Sequence, residues 1–160
     1  MRGAAAEVNT LADLLREEGV HEITSLGGTT IYVVISLILL LIGRGDRAAL
    51  VALGYLVSLV IACALREVKF KPRPTPRSFR THVGRLWASS FPSLHAMRAF
   101  LFAVVFAGWT GAVVAYPFFL VLAVSVAWSR VVLRMHHPTD VIAGGAMGLV
   151  LGGALGWFVP

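Results

Sequence analysis

Leu26–Gly43 reads LGGTTIYVVISLILLLIG, and after the turn Arg44-Gly45-Asp46-Arg47 the next block, Ala48–Leu65, reads AALVALGYLVSLVIACAL. Neither block carries a charge. The apolar residues run continuously and do not recur on one face, so every side of each helix must meet apolar surroundings. Both blocks lie near the lower limit of the roughly 18–20 apolar residues that a helix needs to cross a bilayer.

Outward from these two blocks the pattern repeats. A third span is expected from Pro92 or Ser93 to about Ala107, where a proline in the first turn suits a helix start. Gly108–Gly111 is a turn. Ala112–Ser129 is a fourth span, with a kink expected at Pro117. Pro138–Phe158 is a fifth, rich in Gly144, Gly145, Gly148, Gly152 and Gly153, and such small residues let helices approach closely in lipid. Two polar junctions separate these spans. In Arg66–Phe91, Pro72, Pro74 and Pro76 bar a continuous helix; the other junction is Arg130–His137. Toward the N-terminus, Val8, Leu11, Leu14 and Leu15 recur near helical spacing among acids. Residues 1–25 therefore read as an interfacial amphipathic helix. The acids Glu7, Asp13, Glu17 and Glu18 leave no room there for a signal-peptide core, so the first span is expected to drive insertion. The fold class is all-α: a polytopic membrane helix bundle of about five transmembrane helices. Residues 1–160 read as one domain, with the bundle over 26–160.

Composition agrees. The chain is 58% hydrophobic and only 14% charged, against about a quarter charged in soluble domains. Its net charge is +6, and the basic residues crowd between Arg66 and Arg85 and at Arg130 and Arg134, beside apolar spans. That arrangement suits lipid phosphate and not nucleic acid. Cys63, the single cysteine, excludes a disulfide within the chain and reads as small apolar filler. Five spans put both polar junctions on one side of the membrane. The positive-inside rule would place that side in the cytoplasm; because these charges look chemical, the rule is discounted and the topology left open.

Three stretches carry the chemistry, at 66–74, 92–95 and 129–140. The first is Arg66-Glu67-Val68-Lys69-Phe70-Lys71-Pro72-Arg73-Pro74. The second is Pro92-Ser93-Leu94-His95. The third is Ser129-Arg130, then five residues to His136, then three to Asp140. Polar groups at membrane depth are costly, so their clustering needs a reason. Arginine forks match phosphate oxygens. A helix start at Pro92 offers backbone N–H groups to an anion. Two histidines supply attack and proton transfer, and a carboxylate near one of them can fix its tautomer.

The three stretches resemble the signature of the phosphatidic acid phosphatase type 2 superfamily: a basic residue, six residues, Arg-Pro; then Pro-Ser-Gly-His; then Ser-Arg, five residues, His, three residues, Asp. Order and spacing agree over roughly residues 48–150. The resemblance implies that His136 is a nucleophile forming a phosphohistidine. Asp140 would orient it. His95 would protonate the leaving group and then activate water. Arg66, Arg73, Ser93 and Arg130 would hold the phosphate. Two departures stand out. Arg66 replaces the family's leading lysine, so Lys69 and Lys71 compete with it for that place. Leu94 replaces the glycine and would narrow the pocket if it points inward.

The expected activity is metal-independent hydrolysis of a lipid phosphate monoester or polyprenyl diphosphate, without a cofactor. By resemblance to bacterial relatives, the chain would lie in the plasma membrane with its site facing away from the cytoplasm. A lipid phosphotransferase and a non-catalytic lipid-binding or transport protein are the alternatives; the particular lipid and the oligomeric state stay open. A zinc set of His82, His95, His136, His137 and Asp140 is disfavoured because arginines repel a metal ion. His137 reads as a surface or supporting histidine. Arg98 divides between reaching the surface and touching the headgroup. Arg77, Arg80, Arg85 and Arg134 read as solvated or lipid-facing charges.

Overall fold

The computed structural model describes residues 18–157. Most of the expected N-terminal interfacial helix, residues 1–17, lies outside them. Its described end is a short helix, α1 (Glu18–Ser25), inclined by 47° to α2 (Thr29–Leu41). The break falls at Leu26-Gly27-Gly28. At Gly27 a Cβ would lie 2.9 Å from Val126 and 3.0 Å from the Cβ of His95. Only glycine lets the chain cross His95 this closely.

Five further helices follow: α3 (Gly45–Val68), α4 (His82–Ala88), α5 (Leu94–Thr110), α6 (Ala115–Val132) and α7 (Pro138–Gly156). Among the described residues, α3, α6 and α7 are long and apolar enough to cross a membrane, and α1 with α2 makes a fourth such span if counted as one bent helix. The remaining expected span, α5, is apolar but only 17 residues long. It needs less length because it does not face lipid: α3, α6 and α7 surround it, and Leu101, Phe102 and Val105 form the core with Tyr32, Leu50 and Val51. The outer helices are apolar on their outward side, as lipid requires; Leu41 is 86%, Trp128 68% and Val150 72% exposed.

The boundaries shift from the expected ones in explicable ways. Gly111, at φ +66°, ends α5. Pro117 falls in the first turn of α6, where no intrahelical bond is lost, and α6 continues as one helix to Val132. The junction after α3 is not wholly irregular. Between Pro76 and Pro92 no proline interrupts the chain, and the side chain of Thr81 accepts from Gly84 N–H at 3.0 Å to cap α4.

The closest packing is between α5 and α7. Gly144, Gly148 and Gly152 recur every fourth residue, and a Cβ on each would strike a backbone carbonyl of α5: that of Ser93, Met97 and Leu101 respectively. Backbone-to-backbone approach of this kind needs glycine along the whole contact line. It also sets the register of the site. Ser93 N–H donates to the carbonyl of Asp140 at 3.0 Å, so the second and third stretches meet at one end of the bundle. The first joins them there, where Ser90 N–H donates to the Lys71 carbonyl at 2.7 Å and Thr75 N–H to the Arg134 carbonyl at 3.2 Å.

Candidate active site

At that end lies a cavity of about 380 Å³. Both imidazoles, His95 and His136, line it, with Arg66, Arg73, Arg77, Arg98 and Arg130. Thr29, Trp87, Leu94 and Met135 complete its wall. No carboxylate among the described residues lines it.

Four of these arginines are held by neutral acceptors. Arg66, in the last turn of α3, donates from Nη2 to the Pro92 carbonyl at 3.0 Å. Arg73 donates to the Trp87 carbonyl at 2.9 Å. Arg130, in the last turn of α6, donates to Thr24 Oγ1 at 2.7 Å. Arg98 donates from Nε to Ser58 Oγ at 3.1 Å, and its guanidinium lies 3.8 Å from the Tyr55 ring centre. Arg66 and Arg98 are each 2% exposed and Arg130 is 4% exposed. Arg66, Arg73 and Arg130 keep an Nε, and Arg98 an Nη2, with no hydrogen-bond partner among the described residues. Burying several like charges without an anion is strongly unfavourable, so this geometry selects for an anionic ligand. Leu94 and His95 open α5, where backbone N–H groups have no partner within the helix and add to the same field.

His136 is fixed from one side. Its Nδ1 lies 2.7 Å from the backbone carbonyl of Ser90. A carbonyl only accepts, so Nδ1 carries the proton and Nε2 keeps a free lone pair. Burial, and then the charges of Arg73 and Arg130, push His136 down to about 3. The ring is therefore neutral near pH 7. Burial likewise lowers Arg73 to about 10, with help from Arg77 and Arg66, and it stays a cation.

Asp140 bonds elsewhere than expected from its spacing. Its Oδ2 accepts from Ser90 Oγ and from the His137 N–H at 2.9 Å. Its Oδ1 pairs with Lys71 Nζ at 2.5 Å. Asp140 thus reaches His136 through Ser90, whose hydroxyl it holds while the Ser90 carbonyl holds the ring. Lys71 also donates to Thr139 at 2.9 Å, and neither it nor the exposed Lys69 lines the cavity. Arg66 does, so of the three contenders for the leading basic place it alone faces the site. Ser93 lies behind the wall; its hydroxyl accepts from Ala96 N–H at 3.5 Å, capping α5. Leu94 is buried and lines the cavity, the arrangement that narrows the pocket.

Of the histidines weighed as zinc ligands, only His95 and His136 share the cavity. His82 pairs with Glu67 at 3.0 Å, and His137 lies 3.2 Å from the Pro72 carbonyl. Arg98 and Arg77 join the cavity, while Arg134 is exposed. Sequence reasoning missed Ser90, Thr24 and Trp87. Ser90 acts by a carbonyl that every residue has, and Thr24 acts across 106 positions, so neither had a local signal.

Residues 47–160 match the PAP2 superfamily. Decaprenylphosphoryl-5-phosphoribose phosphatase of Mycobacterium tuberculosis is 34% identical over 122 residues, 72% of this chain and 67% of that protein. The enzyme of that name from Mycolicibacterium smegmatis is 34% identical over 94 residues, 59% of this chain and 50% of that one. The chain thus spans half to two thirds of the length of these relatives. A transmembrane PAP2 type phosphatidylglycerolphosphate phosphatase from Bacillus subtilis has a crystal structure that superposes with a TM-score of 0.74 at 26% identity. That superposition covers 90% of this chain and 76% of that one.

Proposed function

We propose, from the premise that this chain belongs to the PAP2 superfamily, that it is an integral membrane phosphatase hydrolysing a lipid phosphate monoester or a polyprenyl diphosphate. One observation carries the reading: two imidazoles share a cavity with five guanidinium groups, those of Arg66, Arg73, Arg77, Arg98 and Arg130, and with no described carboxylate.

The chemistry follows from that wall. Arg66, Arg73 and Arg130 hold the non-bridging oxygens and meet the charge spread over them as the phosphoryl group transfers. His136 Nε2 attacks phosphorus, and the bond to the leaving oxygen breaks. His95 gives that oxygen a proton. Water then attacks phosphorus, His95 takes its proton, the P–N bond breaks, and inorganic phosphate leaves with His136 restored. Asp140 acts through Ser90, keeping the carbonyl that holds the Nδ1 proton in place. Guanidinium groups meet the substrate charge, so neither metal nor cofactor enters the scheme. The site faces away from the cytoplasm in this reading.

The experiment is phosphate release by purified protein from phosphatidate, phosphatidylglycerol phosphate and polyprenyl diphosphate, with and without an added alcohol acceptor. Alkaline quenching in detergent with radiolabelled lipid, which preserves a P–N bond, should trap label on His136. His136→Ala should abolish both release and label; near-normal release by that variant would overturn the assignment. Transfer to the alcohol in place of release would make the protein a phosphotransferase.

A further inference from the structure

Arg98 lies outside all three stretches, the first and third of which supply Arg66, Arg73 and Arg130, yet it is buried in the same cavity wall. It is also clamped. Ser58 takes its Nε at 3.1 Å, the Tyr55 ring lies under it at 3.8 Å, and Tyr55 in turn bonds Thr29 at 2.9 Å. Nη2 is buried without a partner among the described residues. A guanidinium fixed on one edge in the cavity wall, with a buried nitrogen left unsatisfied, is pre-organised for a single anion.

Its place says which anion. Arg98 stands three residues beyond His95 on α5, so the two are neighbours on one helix face, with Arg98 about 4.5 Å further into the bundle. His95 serves the leaving group in the scheme above. A cation beside it, on the membrane side, meets whatever the leaving oxygen is attached to.

The geometry points to a second phosphate position, on Arg98, that takes the lipid-side phosphate of a substrate carrying two phosphorus groups. This rests on the phosphatase reading and narrows its substrate class. With a diphosphate, His136 attacks the terminal phosphorus and the bridging oxygen departs as part of a lipid monophosphate. That oxygen takes its proton from His95 while Arg98 holds the inner phosphate. With a lipid whose two phosphorus groups are separated by a glycerol or a sugar, Arg98 holds the phosphodiester and the leaving oxygen is an alcohol.

Kinetics on the full-length protein in mixed micelles test this, using phosphatidate, phosphatidylglycerol phosphate and polyprenyl diphosphate. At least one lipid with two phosphorus groups should exceed phosphatidate in kcat/KM by about tenfold or more, the worth of one charged hydrogen bond. Arg98→Met should bring that ratio toward one, and Arg98→Lys should restore part of it. Whichever of the two lipids loses its advantage identifies the spacing that Arg98 reads. If Arg98→Met does not fold, the wild-type preference and the Lys variant still decide. Equal use of all three lipids by the wild type would overturn the inference, as would a proportional loss on all three in Arg98→Met; both leave the phosphatase reading standing. Absence of release from every lipid would sink that reading, and the inference with it.

Discussion

The backbone carbonyl of Ser90 accepts the Nδ1 proton of His136 at 2.7 Å. The side chain of the same serine is held by Asp140. Asp140 therefore governs the ring at one remove.

Ser90→Ala separates the two links. The carbonyl stays, while the hydroxyl that ties it to Asp140 is lost. Asp140 keeps Lys71 and the His137 N–H, so the fold should survive. With the carbonyl less firmly placed, kcat should fall by about tenfold, the usual scale for groups that orient a reactive histidine. KM should stay near its original value, because Ser90 does not line the cavity. Saturation kinetics of phosphate release check this; an unchanged kcat would show that Asp140 does not act through Ser90.

The depressed pKa of His136 has a consequence for stability. The ring ionises near 6.5 when unfolded and at about 3 when folded. Between those values the unfolded chain binds a proton that the folded one refuses. Stability is complete above about pH 6.5 and falls as the pH drops, at up to about 1.4 kcal/mol per pH unit from this group. Melting temperatures in detergent from pH 7.5 to 4.5 should decline, and His136→Gln should flatten the slope. A variant that declines as steeply as the wild type would exclude His136 as the source.

How far the residue order foretold this molecule depended on whether the physics was local. Charge-free blocks such as Ala48–Leu65 have one solution in lipid, so the helices were legible. The spacing from Arg130 to His136 set both at one end of a span, where they line the cavity, but it gave no sign that Asp140 reaches the ring through Ser90. What stayed hidden was choice among equals. Lys69, Lys71 and Arg66 carry the same charge within six positions, and only the packed structure sends Lys71 to Asp140 and Arg66 to the cavity. The capped turn at Thr81 was hidden by the three prolines before it. Gly27 gave no sign that it lies against His95.

That division predicts a contrast between basic residues. Arg66→Ala removes a cavity wall and a buried cation, and should lower kcat/KM by about a hundredfold or more, as for loss of a phosphate-clamping charge. Lys69→Ala touches an exposed side chain and should stay within about twofold, since surface changes alter little. Parallel kinetics on the two variants decide it. A larger loss in the lysine variant would return the leading basic role to Lys69.

The glycine line on α7 gives the last test, because it links helix packing to site geometry. Gly148→Ala places a methyl against the Met97 carbonyl and 3.0 Å from Leu101 N. Neither backbone atom can rotate away, so α7 must move off α5, at a cost of about 1–3 kcal/mol as in other overpacked interiors. The same movement strains the bond between Ser93 N–H and the Asp140 carbonyl, which aligns the second and third stretches. Melting temperature and kcat should therefore fall together. Gly153→Ala is the matched control: it lies on the same helix, and its added methyl meets nothing within 4 Å. It should leave kcat alone and hold or slightly raise the melting temperature, since alanine is the better helix former. If both variants behave alike, close approach of α5 and α7 is not what sets the site.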